Sequence, residues 1–212
     1  MRVGRKKTWM GLFLVAASVI PIYGAGAAVA EAKRVEKAQT YELDTSHTVV
    51  RFDISHLVIS TVEGRFNKFM GTFNYDAATQ TLQNAKIVID VASVDTNEPK
   101  RDDHLRGPDF FDVKNHPQII FDTAKLVAKE GKPVQLIGML DMHGVKKEVT
   151  LDVDFKGAMT DPGGSQKIVF NLSGKINRLD YGLTWNKTLD KGGVAIGEDV
   201  QFDIKVEATQ KK

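Results

Sequence analysis

Val200-Gln201-Phe202-Asp203-Ile204-Lys205-Val206 decides how the rest of the chain is read. Apolar residues fall on even positions and polar ones on odd positions. That alternation marks a strand with one buried face and one wet face. The same period recurs upstream. Val149, Leu151, Val153 and Phe155 alternate with Thr150, Asp152 and Asp154. Phe170, Leu172, Gly174 and Ile176 form another run, and so do Val134, Leu136, Gly138 and Leu140. Shorter runs are Ile119 and Phe121; Ile87, Ile89 and Val91; Phe69, Gly71, Phe73 and Tyr75; and Val50, Phe52 and Ile54 with Arg51 and Asp53 between them. These make about eight strands.

The connections are short. His143-Gly144 leaves room only for a tight hairpin, Asp161-Pro162-Gly163-Gly164 is a strong turn signal, and Asp76 to Gln80 is a loop. No helix of 10–15 residues separates successive strands, which excludes a parallel α/β sheet. Eight antiparallel strands either close into a barrel or split into a sandwich. Closure removes exposed edges. Gly64, Gly71, Gly138 and Gly174 sit in or beside strands, where glycine permits sharp bends. The all-β barrel is therefore favoured over the sandwich.

One segment breaks the rhythm, NEPKRDDHLRGPDFFDVKN over residues 97–115. Asn97 suits a helix cap and Pro99 a first helical turn, while Gly107-Pro108 would end the helix. Dense charge followed by Phe110-Phe111 fits a short helix that crosses or plugs one barrel mouth.

The N-terminus reads as an export signal. Arg2, Arg5, Lys6 and Lys7 precede an apolar run from Trp9 to Ile20, then Pro21, then Ala28-Val29-Ala30. Twelve apolar residues fall short of the roughly 18 that span a bilayer. A basic start, a short apolar run and an Ala-x-Ala site predict cleavage after residue 30. Residues 31–40 are then a charged, mobile lead-in, and 41–208 the folded domain. The chain holds 29 Lys+Arg against 27 Asp+Glu. Removing the four basic residues of the signal leaves 25 against 27, a net −2, which gives no reason to expect a nucleic-acid partner. With no cysteine in 212 residues, stability must come from the core.

Catalytic constellations are lacking. There is no Cys nucleophile and no Gly-x-Ser-x-Gly elbow, and His47, His56, His104, His116 and His143 are scattered without a His-x-x-x-His pair. Neither a catalytic nor a metal site is expected, and no cofactor. The inward faces read from the alternation include Phe52, Ile54, Phe73, Ile89, Phe121, Leu136, Leu140, Leu151, Phe170, Leu172, Phe202 and Ile204. Such a set packs on itself or on an apolar guest. His56 is in phase with it and faces the interior, as a head-group ligand or as a satisfied core histidine. His47 is out of phase and near a strand start, where a structural or surface place is expected.

Several segments, in order, carry a resemblance. They are YELDTSH (41–47), VRFDISH (50–56), GRFNKFMG (64–71), SVDTN (93–97), RDDHLR (101–106), DFFD (109–112), PQIIF (117–121), GMLDMHGVKK (138–147) and INRLDYG (176–182). Together they resemble the YceI-like family of lipocalin-like periplasmic proteins associated with polyisoprenoid binding. The resemblance implies an eight-stranded antiparallel barrel with a long hydrophobic cavity. It also implies an isoprenoid-tailed lipid or quinone-like ligand, a periplasmic place and often a homodimer. Arg101, His104 and Arg106, with Arg178, are then candidates for holding an anionic head at the cavity mouth, since arginine's fork matches phosphate. The competing reading is a salt-bridged helix with Asp102 against Arg106, and Arg178 against Asp180 at the rim. The alternatives to a carrier are a structural barrel plugged by its own side chains, or an enzyme acting on such a lipid.

Overall fold

A computed structural model describes residues 38–57, 59–188 and 194–211. The leader over 1–30 lies outside the described residues, as does most of the lead-in. Among them eleven strands form one antiparallel sheet: β1 (Gln39–Leu43), β2 (Val49–His56), β3 (Ser60–Phe66), β4 (Phe69–Asp76), β5 (Thr81–Asp90), β6 (Val94–Asp95), β7 (Gln118–Lys129), β8 (Lys132–Met142), β9 (Val145–Thr160), β10 (Gln166–Asn177) and β11 (Ile196–Gln210). Among the described residues one α-helix, α1 (Pro99–Arg106), interrupts them.

The sheet closes. Its order is β1-β4-β5-β7-β8-β9-β10-β11, and β11 pairs back onto β1 through Leu43 opposite Ala208 and Tyr41 opposite Gln210. That circuit has eight strands, so the sandwich is excluded. The surplus over eight comes from kinks. β2 continues the line of β1 along the same edge of β11, pairing Phe52 with Phe202 and Ile54 with Val200. In the same way β3 leads into β4 and β5 into β6, with Arg65 opposite Asp95. Three of the barrel's strands are thus each broken in two.

The hairpins follow local chemistry. His143 and Gly144 have φ of 52° and 77°, and Glu130 and Gly131 have 52° and 74°. Two successive positive φ values match the right-handed twist of the strands on either side. Asp161 closes the β9–β10 turn by accepting from the Ser165 amide at 2.8 Å. The helix is capped by Glu98, whose carboxylate accepts from the Arg101 amide at 2.6 Å, with Pro99 in the first turn and Gly107 as C-cap. Asn97, the expected cap, instead has φ of 60° and donates its amide to Asp95. The charged Glu98 stands closer to the orphan amides of the first turn.

The four strand glycines make room for neighbouring side chains. A Cβ on Gly64, Gly71, Gly138 or Gly174 would stand within 2.5 Å of Phe52, Ile87, Phe121 or Leu151 respectively. Each leaves space for an inward side chain from the neighbouring strand.

Candidate functional site

The barrel has one filled end and one hollow end. At the end where β1 and β10 begin and β4 and β11 finish, aromatic side chains pack the interior. Tyr41 stacks on Phe73 with ring centroids 5.7 Å apart, and Tyr75 and Phe73 meet Phe170 edge-on at 6.2 and 6.3 Å. Phe155 adds a third aromatic partner of Phe170, at 5.3 Å. Ile168 and Ala208 are fully buried beside them. Edge-to-face and offset-stacked contacts of this kind contribute about 0.5–1.5 kcal/mol per pair beyond burial.

From that plug to the other end runs a cavity of about 660 Å³. This lies within the roughly 300–1,000 Å³ typical of small-ligand sites. Every inward residue read from the sequence is on its wall: Phe52, Ile54, Phe73, Ile89, Phe121, Leu136, Leu140, Leu151, Phe170, Leu172, Phe202 and Ile204, together with His56. Alternation placed them correctly because the pleat leaves each strand residue a choice of only two faces.

The mouth is roofed by elements the alternation says nothing about. α1 and the turn after it contribute Leu105, Phe110 and Phe111, and the segment after Tyr181 contributes Leu183 and Trp185. His104 sits between Phe110 and Trp185, with ring centroids 5.0 and 4.8 Å away, and its Nε2 is 2.9 Å from the Asp109 carboxylate. The polar wall residues are Thr48, Arg51, Ser55, His56, Thr96, Arg101, His104, Arg178, Lys187 and Thr188. The rest of the wall is apolar.

The four head-group candidates separate. Arg101 and His104 reach the mouth. Arg101 donates Nε to Thr96 Oγ1 and Nη2 to the Thr96 carbonyl, both at 2.8 Å. Arg106 is not on the wall, which corrects its expected place. It donates Nε to the Ala92 carbonyl and Nη2 to the Val94 carbonyl, each at 2.8 Å, and Nη1 to Asp103 at 2.9 Å. Facing away from the cavity, it locks α1 to the β5–β6 kink. Asp102 does not pair with Arg106 either. Its buried carboxylate accepts from the Thr96 amide at 2.8 Å and the Thr96 hydroxyl at 2.5 Å.

Arg178 is the exception to the salt-bridge reading. It is only 3% exposed and lines the cavity. Nε donates to the Gly197 carbonyl at 2.8 Å and Nη1 to the Leu183 carbonyl, while Nη2 is buried without a hydrogen-bond partner. Asp180, its expected mate, pairs with Lys147 instead, at 2.8 Å. Burial pushes the Arg178 guanidinium below its ordinary value, with Glu198 opposing the shift.

Outside the cavity, Asp44, His47 and Glu207 converge closely enough to offer three ligand atoms to a cation. Lys167 Nζ already supplies positive charge there, 2.5 Å from Glu207 and 3.3 Å from Asp44. The cluster is an ion-pair clasp at the β1–β2 kink. His47 lies on the surface as expected. Among the described residues, no helix is long and apolar enough to cross a membrane.

The family model for the YceI-like domain matches residues 41–208. Protein YceI of Salmonella newport is 34% identical over 207 residues, covering 98% of this chain and all of that one. The crystal structure of a Campylobacter jejuni YceI protein superposes with a TM-score of 0.64 at 33% identity, covering 75% of this chain and 91% of its own. A Saccharophagus degradans protein, described as a polyisoprenoid binding domain implicated in plant cell wall breakdown, shares the fold. Its TM-score is 0.58 at 19% identity, over 82% of this chain and all of that one.

Proposed function

Starting from the fact that this chain belongs to the YceI-like family, we propose that it binds and shields an isoprenoid-type lipid or quinone-like amphiphile, and that it carries this cargo without transforming it. One observation carries the reading: a closed barrel with an apolar cavity of about 660 Å³, plugged at one end and with most of its polar wall residues toward the other. The polyisoprenoid-binding description of the Saccharophagus relative supports the same class of guest.

The physics favours exchange over capture. Burying a five-carbon isoprene unit is worth about 4 kcal/mol, at about 0.8 per methylene-sized group. A tail of several units cannot stay free in water. In a membrane it is already out of water, so moving it into the barrel gains little. A hollow barrel therefore suits a shuttle that takes cargo from one apolar phase and gives it to another.

We also propose that this work is done in the periplasm after export, with residues 1–30 as the removed leader. The basic start and Ala28-Val29-Ala30 support that reading.

Mass spectrometry of organic extracts from gently purified protein tests the carrier role, together with titration of a fluorescent prenyl analogue. A co-purifying prenyl amphiphile, or saturable binding of the analogue at one site per chain, is expected. If the extract is empty and the analogue does not bind, the barrel is structural and the proposal is lost.

A further inference from the structure

The β2–β3 hairpin turns on the wrong kind of residue for water. The hairpins at Glu130-Gly131 and His143-Gly144 place glycine at the second of two positive-φ positions. In the β2–β3 turn it is Leu57 that takes a φ of 52°. Asn or Gly adopts that conformation at little cost, and a bulky side chain does not. Beside it Ile59 is 90% exposed and lies off the cavity wall. A tip that breaks the local rule while showing aliphatic surface to solvent points to something the tip meets.

The tip belongs to a hydrogen-bonded ledge. His56 is registered against Ile196 of β11, and the Leu57 amide donates to the Ala195 carbonyl at 2.8 Å. The Ala195 amide donates to the Lys187 carbonyl at 2.9 Å. The Asn186 side chain closes the set, donating to the Ile196 carbonyl at 2.7 Å and accepting from its amide at 3.0 Å. Leu57 and Val194 add exposed apolar surface, at 41% and 43%, to that of Ile59. Trp185, half-buried in the same segment, packs on His104 of the roof. Leu57, Trp185, Lys187, Ala195 and Ile196 also line the cavity, so the ledge is one lip of its mouth.

Charge and area say what the lip fits. Residues 54–62, 183–188 and 194–197 contain no aspartate or glutamate, in a chain with 27, and their fixed charge is that of Lys187. The intervening residues 189–193, outside the described part, add one Asp and one Lys. A lipid phosphate meets one cation there and no repulsion. Tryptophan beside aliphatic and lysine side chains is the make-up of surfaces that sit at the head-group boundary. A second copy of the chain fits less well. A stable dimer buries about 800 Å² on each partner, and three aliphatic side chains on a narrow lip do not supply that. An isologous contact centred on the lip would also set Lys187 near its own counterpart.

We propose that this lip enters the surface of a phospholipid bilayer, so that the barrel loads and unloads with its mouth against lipid. This deepens the carrier reading and rests on it: the tail passes between bilayer and cavity without crossing water, where its methylenes are costly to expose.

The chain has no cysteine, so Ile59→Cys carries a polarity-sensitive dye at the lip alone. Met159→Cys, at a position 61% exposed near the plugged end, carries it at the far end as the control. Protein isolated from the cell envelope is mixed with vesicles of equal parts phosphatidylethanolamine and phosphatidylglycerol. Dye at 59 should shift to the blue, dye at 159 should not, and unlabelled protein should float with the vesicles. Ile59→Ser should weaken flotation about tenfold or more, the worth of burying one such side chain. It should also slow transfer of a fluorescent prenyl analogue between vesicles. Its Tm and its affinity for the analogue in solution should match wild type, because Ile59 is exposed and off the wall. Equal flotation of wild type and Ile59→Ser, or a blue shift at both positions, overturns the lip as the docking surface. Absence of wild-type flotation overturns the bilayer as partner, while solution binding of the analogue leaves the carrier reading standing. A blue shift at 59 that rises with protein concentration and needs no vesicles makes the lip a contact between copies and overturns the proposal. Failure of the analogue to bind in solution removes the carrier reading, and this proposal falls with it.

Discussion

The tip of the Phe52 ring occupies the place a Cβ on Gly64 would take: the two residues are register partners across β2 and β3, and the added atom would stand 2.2 Å from Cζ and 2.7 Å from both Cε atoms. The same pairing of a wall side chain with a bare backbone recurs at Phe121 over Gly138 and Ile87 over Gly71. The cavity keeps its width because these side chains lean sideways over glycine instead of pointing at the barrel axis.

Gly64→Ala should therefore act on the cavity more than on the fold. The clash is with the far end of a ring, and the ring has hollow space to swing into. A fall in Tm of about 2–4 °C is expected, the equivalent of about 1 kcal/mol in a domain this size, with a clear loss of affinity for a prenyl analogue. Gly71→Ala is the contrast. Its Cβ would meet the Lys86 carbonyl at 2.9 Å and the Ile87 Cα at 3.0 Å, which are backbone atoms. It should cost about 1–3 kcal/mol, as overpacking does. Paired thermal melts and titrations check both, and equal effects of the two variants on Tm would contradict the argument.

Leu172→Lys distinguishes a hollow wall from a packed core. Leu172 lines the cavity and is only partly buried. Its replacement can extend toward the mouth, so circular dichroism should show a folded barrel that no longer takes up the prenyl analogue. In a filled core an unpaired charge costs several kcal/mol, and unfolding is the result that would count against a cavity.

Asp102→Ala should loosen the mouth. It leaves the Thr96 amide and hydroxyl without their shared acceptor. Stranding buried donors costs about 1–3 kcal/mol each. Faster amide exchange is expected in α1 and over 94–98, with the β9–β10 hairpin unchanged. Uniform exchange across the chain would show that the helix is not anchored there.

The clasp at Asp44 sets the acid response. The Ser46 hydroxyl and the His47 ring, with Lys167, hold the Asp44 carboxyl well below its ordinary 3.8. Lys167 is raised above its ordinary 10.5, chiefly by Glu207 and then by Asp44. A depressed carboxyl contributes stability that is complete above its unfolded value and is lost as pH falls through its folded value. A raised lysine contributes below its unfolded value and loses that contribution as pH climbs through its folded one. The clasp is therefore at full strength from about pH 5 to 9 and weakens below pH 4. Asp44→Asn should lower Tm at neutral pH and flatten the decline of Tm between about pH 4 and 2. An unchanged acid slope would show that another carboxylate controls it.

The leader proposal makes its own prediction. Protein isolated from the cell envelope should begin at Glu31, by Edman sequencing or intact mass. Full-length chain in the membrane fraction would refute it.

Period-two alternation made the wall legible down to individual residues, because a strand side chain has only two directions to choose between. The same rule could not see that Val50–Ile54 and Tyr41–Leu43 belong to one barrel strand. The bulge at residues 44–48, stitched by Thr48 Oγ1 to the Glu207 carbonyl and amide, resets the phase between them. Tyr41 and Phe155 as plug residues stayed hidden for a related reason: which end of an inward face meets its neighbours depends on the tilt and stagger of all eight strands. Arg106, at the end of α1, and Arg178, just after β10, each have an aspartate within three residues in sequence. Only the folded chain shows that one has three partners outside the cavity, while the other is a wall residue with one buried, unpaired Nη2.

The aromatic plug of Tyr41, Phe73, Tyr75 and Phe170 makes the molecule a cup instead of a tunnel. Nothing can pass through it. On the carrier proposal, a chain-like guest would back in tail-first and come out head-first by the same route. Its receiver would then meet the head before the hydrocarbon is released, and two guests could not queue.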